Sequence, residues 1–75
     1  MTALPEYNII LFKSVSYALK AEKILKAEGI PFKLIPVPKH ISSDCGICLR
    51  IEADIREWIK DVLEGSVEIL EIRSL

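Results

Sequence analysis

Twice along the chain the same order of residues recurs: an apolar run rich in strand formers, a helix-forming stretch closed by glycine, and a second apolar run. Tyr7–Lys13, Ala18–Glu28 and Phe32–Val37 form the first set. Ile47–Glu52, Ile55–Glu64 and Val67–Ile72 form the second, with Arg73-Ser74-Leu75 as a tail. This order limits the fold severely, because a strand, helix and parallel strand in one sheet must connect with a right-handed crossover, and here two such units share one short chain.

The local signals agree with that order. Tyr7-Asn8-Ile9-Ile10-Leu11-Phe12-Lys13 is too uniformly apolar for a half-exposed strand, so it is expected to be central and covered on both faces. Ser14 or Ser16 can cap the first helix. Within that helix Tyr17, Ala18, Ala21, Ile24 and Leu25 share one side, Lys20, Lys23 and Lys26 the other, and Val15 and Leu19 fall off the stripe. Gly29 suits a left-handed C-terminal position, and Pro31 forbids continuation. Pro36 lacks a ladder donor, which predicts an edge strand with the proline turned outward.

Ile47-Cys48-Leu49-Arg50-Ile51-Glu52 alternates strictly, placing Ile47, Leu49 and Ile51 toward the core and Cys48 and Arg50 on the opposite face. Asp54 and Glu57 have the spacing of a capping box. Ile55, Trp58, Ile59, Val62 and Leu63 form an apolar stripe ended by Gly65, with Trp58 read as core. The expected fold is therefore an α+β, ferredoxin-like βαββαβ sandwich: an antiparallel sheet with two helices on one face and the other face left to solvent or a partner. At 75 residues it is expected to be a single domain spanning 1–75.

Ten basic and eleven acidic residues give a formal charge of −1 with no block of like charge, so no field that would draw nucleic acid or an anionic membrane is present. No apolar run approaches the ~20 residues of a membrane span, and Met1–Glu6 lacks a basic region followed by an apolar one. A cytoplasmic protein is expected. The 51% hydrophobic content is high for so small a monomer and suggests a further buried surface, a homodimer through the second sheet face or the strand edges.

The chemistry gathers in the connection between the two halves. Leu34 to Arg50 holds the one histidine and both cysteines, spaced C-x-x-C as Cys45 and Cys48. In a reducing compartment such a pair more often handles redox chemistry, sulfur or metal than staples a fold. The residues after Cys48 read as a strand, so the helix dipole that activates thioredoxin-type cysteines is absent or reduced to whatever turn Ser42-Ser43-Asp44 forms. Asp44 beside Cys45 would raise the thiol pKa by repulsion, whereas Lys39, His40 and Arg50 would lower it if the loop folds them inward, so the spacing leaves the sign open. His40, Cys45 and Cys48 are one ligand short of a closed zinc site unless Asp44 or a second chain completes it, and neither a metal nor another cofactor is expected. Ser42 and Ser43 lack a histidine–acid partner and are read as tying down the loop backbone. Gly46 admits a left-handed turn or a close approach to a ligand.

The run Ile10–Pro38, followed by Ile41-Ser42-Ser43-Asp44-Cys45-Gly46-Ile47-Cys48-Leu49-Arg50, resembles a family of small bacterial and archaeal selenium/sulfur carrier protein-like chains. The likeness extends from Ile10 to about Asp54, and Ser42–Gly46 is its most specific piece. It implies a thiol carrier in which Cys45 holds sulfane sulfur or selenium as a persulfide or perselenide, with Cys48 resolving the adduct. Lys39, His40 and Arg50 would stabilise the anion, and Ser42, Ser43, Asp44 and Gly46 would shape the loop. Donor and acceptor proteins, a cysteine desulfurase among them, would be the partners. Cys48 departs from the family pattern, where a small residue is common, which makes a single-thiol mechanism the firmer implication. A dimeric interaction or ligand-sensing module with no chemistry of its own is the competing reading of the same fold.

Overall fold

The computed structural model describes residues 6–41 and 46–75. Four strands, β1 (Tyr7–Phe12), β2 (Lys33–Pro36), β3 (Ile47–Glu52) and β4 (Ile69–Ser74), form one antiparallel sheet in the order β2-β3-β1-β4. Helices α1 (Val15–Glu28) and α2 (Arg56–Leu63) complete the βαββαβ order of a ferredoxin-like α+β fold.

The middle of β1 is buried from Ile9 to Phe12, as its composition requires. Alternation divides it: Ile10 and Phe12 join the helix-side core with Ala18, Ala21, Leu25, Ile59 and Leu63, while Ile9 and Leu11 face the other way. Ser14 caps α1 by accepting a hydrogen bond from the Tyr17 amide at 3.4 Å, and Gly29 ends it in the left-handed region at φ 72°. Ala18, Ala21 and Leu25 are the buried line of α1, and Val15 and Leu19 stand in solvent.

Four expectations need correction. The capping box does not form: Ala53–Ile55 is a 3-10 turn, α2 begins at Arg56, and no side chain caps it. The cause is the β1–β3 ladder, which runs one bond further than the strand pattern indicates, because the Ala53 amide donates to the Glu6 carbonyl at 2.9 Å. Trp58 is 49% exposed. Ile59 and Leu63 set the buried line of α2, and at 100° per residue Trp58 projects to its flank.

The last strand runs two residues later than its apolar content suggests. Val67 is buried but closes α2, its amide donating to the Leu63 carbonyl at 3.0 Å. The strand then takes in Arg73 and Ser74, and Leu70 is the extra residue of a bulge, since Ile69 pairs with Phe12 and Glu71 with Leu11. Finally, the second sheet face is not simply left open. Ile41 and Val37, from the β2–β3 connection, pack there with Ile9, Leu11, Ile35 and Cys48 as a second apolar cluster.

Candidate functional site

The connection that carries the C-x-x-C pair is clamped at its base. Beyond the Pro36–Ile47 pairing, the Val37 amide donates to the Gly46 carbonyl at 3.1 Å, so the chain leaves and re-enters the sheet on one rung. Between these ends, Pro38 to Ile41 makes a turn in which the Ile41 amide donates to the Pro38 carbonyl at 3.0 Å. Lys39 and His40 occupy the corner of that turn and are exposed, and Ile41 returns to the sheet and is buried. Ser42, Ser43, Asp44 and Cys45 lie outside the described residues.

Cys48 is on β3, directly opposite Ile35 of β2, on the face away from the helices. It is wholly buried, and its Sγ lies 4.0 Å from the Pro36 carbonyl oxygen, a contact of weak hydrogen-bond length. The alternation that predicts its direction is correct. It is buried in a cluster that Ile41 joins, a residue that sequence reasoning left out of the site. A signal for it exists: Ile41 is the sole large apolar residue between Pro38 and Gly46, and such a residue in a polar loop seeks an apolar surface.

Arg50 shares the face of Cys48 but reaches away from it. Its guanidinium carbon lies 4.4 Å from the centroid of the Tyr7 ring, and Tyr7 pairs with Glu52, two residues further from the loop. Ring quadrupole and cation attract each other here. Lys33 pairs directly with Arg50, so this end of the second face carries two cations side by side. At Gly46 a Cβ would meet nothing within 4 Å, so close packing does not demand glycine there.

The site therefore has two levels. A buried thiol position lies in an apolar cluster under Ile41, and an exposed turn with Lys39 and His40 lies next to it in the chain. The apolar lining keeps water away from this position. Nucleophilic work by Cys48 would therefore require the cluster to open around it.

Residues 6–74 match the model of the family described as "Putative Se/S carrier protein-like", and the chain belongs to that family. The "Uncharacterized protein YtiA" of Escherichia coli (strain K12) is 28% identical over 60 residues, which cover 80% of this chain and 71% of that protein. No solved structure gives a significant match. Among the described residues, no helix is long and apolar enough to cross a membrane.

Proposed function

We propose that this member of the Se/S carrier-like family is a thiol carrier that takes up sulfane sulfur or selenium on Cys45 and hands it to an acceptor protein in the cytoplasm. The observation that carries the reading is the extent of the family match, residues 6–74, which takes in the whole β2–β3 connection and both cysteines. The clamp at Val37 and Gly46 supports it, because it anchors both ends of the segment that holds Cys45.

In the uptake step the Cys45 thiolate attacks the terminal sulfur of a donor persulfide. The donor S–S bond breaks, the donor leaves as a thiolate, and Cys45 becomes the persulfide with no net oxidation. A cysteine desulfurase fits the donor role because its product is a cysteine persulfide. Delivery to an acceptor thiolate repeats the exchange in the opposite sense. When reduced sulfur is wanted instead, the Cys48 thiolate attacks Cys45 Sγ, which forms the Cys45–Cys48 disulfide and expels hydrosulfide. An external dithiol then restores both thiols.

Within this scheme Lys39 supplies a positive charge and His40 a hydrogen-bond donor to the anionic terminal atom. Ser42, Ser43 and Asp44 shape the loop, Gly46 gives it freedom to turn, and Arg50 offers its charge to the incoming protein. The test uses a cysteine desulfurase with L-cysteine as the sulfur source, followed by alkylative trapping. Cys45 should carry the trapped persulfide, and transfer should vanish in Cys45→Ser. Undiminished labelling of Cys45→Ser would leave the interaction-module reading in its place.

A further inference from the structure

The two edges of the sheet differ in a way that identifies a partner. Strand β2 is blunted: it has four residues, one of them Pro36, which removes a backbone donor from the ladder. Strand β4 is longer, at six residues, has no proline, and its bulge at Leu70 lies at one end. Leu70 and Leu75, at the two ends of this edge, are 49% and 58% exposed.

The backbone groups of β4 point where a further strand would need them. The Leu75 amide donates to the Tyr7 carbonyl at 3.1 Å, and Arg73 pairs with Ile9 two residues along, so these residues turn their backbone groups toward β1. By the alternation of an antiparallel ladder, Ile72 and Ser74 turn theirs outward. Glu71 and Arg73 lie on one face, opposite Leu11 and Ile9, and they pair with each other at 3.7 Å while both stay exposed.

We propose that a second copy of this chain docks on this edge, β4 against β4, in antiparallel register about a two-fold axis at Ile72. In that register Ile72 meets the partner's Ile72 as a hydrogen-bonded pair. Glu71 then faces the partner's Arg73, and Arg73 the partner's Glu71, both in the non-hydrogen-bonded positions where side chains come closest, about 4.5 Å between Cα atoms. An isologous interface requires such self-complementarity, and opposite charges two residues apart supply it. A parallel pairing in register would set Glu71 against the partner's Glu71 and Arg73 against its Arg73.

The assembled sheet has eight strands, and five strand spacings of about 4.8 Å separate the two Cys48 positions, roughly 24 Å in all. The two Cys48 positions therefore stay apart on one common face of the assembled sheet. This inference does not depend on the carrier reading.

Sedimentation of the full chain at high micromolar concentration tests it, with Glu71→Arg, Arg73→Glu and the double swap. Wild type should be dimeric. Each single variant places like charges opposite each other twice and should weaken the dimer at least about tenfold. An equimolar mixture of the two single variants should recover a dimer, because one strand then carries two arginines and the other two glutamates, and the double swap should dimerise as wild type does. A monomeric wild type, single variants that dimerise as wild type does, a mixture that stays monomeric, or a monomeric double swap overturns the proposal. The double swap keeps the test decisive if a single variant fails to fold.

Discussion

Cys48 stands directly across the ladder from Ile35, on the sheet face that neither helix covers, and Ile41 joins them in one apolar cluster. The β2–β3 connection thus shields one cysteine of the C-x-x-C pair while spanning the other.

Removing the cover should expose the thiol. In a Cys45→Ser background, where Cys48 is the one remaining cysteine, alkylation should be slow, and Ile41→Ala should speed it by about an order of magnitude. The same change should cost stability near the low end of the 2–5 kcal/mol range for such truncations, about 2 kcal/mol, because Ile41 sits at the margin of its cluster. An alkylation rate unchanged by Ile41→Ala would show that Ile41 does not control access.

The site of Cys48 also discriminates between substitutions. Serine would put a hydroxyl, a group more costly than a thiol to remove from water, into the apolar cluster, at a cost of about 1–3 kcal/mol where its hydrogen bonding stays incomplete. Alanine leaves only a small void, so urea denaturation should find Cys48→Ala the more stable of the two. Equal midpoints would mean that the hydroxyl finds a partner, with the Pro36 carbonyl the nearest candidate.

Trp58 is the protein's one tryptophan, so its fluorescence reports directly on the surface of α2. Emission should be red-shifted and readily quenched by acrylamide, and Trp58→Ala should change stability by no more than about 0.5 kcal/mol. Blue-shifted, protected emission would place the indole in a contact that the isolated chain does not have.

Both left-handed glycines lie in open space, so an added methyl there is opposed by backbone conformation alone. Gly29→Ala at φ 72° and Gly65→Ala at φ 83° should each cost about 1 kcal/mol. Ser14→Ala should cost about 0.5–1 kcal/mol for the lost cap, the low side of the usual range, since the hydrogen bond is a long 3.4 Å. Chemical denaturation of the three variants checks these values.

Local signals account for the parts of this fold that were legible in the sequence. Strict alternation placed β3 at Ile47–Glu52, where it is found, and put Cys48 and Arg50 on one face. Ser14 and Gly29 bounded α1 because capping and a left-handed residue act within a single turn. The misreadings arose where distant residues decide the outcome. The Glu6 carbonyl takes the Ala53 amide and delays α2, so Asp54 cannot cap it. The bulge at Leu70 carries β4 beyond Ile72 to Ser74. Ile41 joins the cluster of Cys48 from across a loop, and Arg50 lies over the Tyr7 ring, neither of which sequence spacing reveals.

The measurement that bears most directly on the carrier reading is intact mass spectrometry after brief exposure of the reduced protein to inorganic polysulfide, with wild type, Cys45→Ser and Cys48→Ala compared. Wild type should gain the mass of one sulfur atom and then lose it together with two hydrogens as the internal disulfide closes. Cys48→Ala should keep the added sulfur longer, and Cys45→Ser should gain none. A Cys45→Ser protein that still takes up one sulfur atom, or a Cys48→Ala adduct that decays as fast as that of wild type, would contradict the division of roles between the two cysteines.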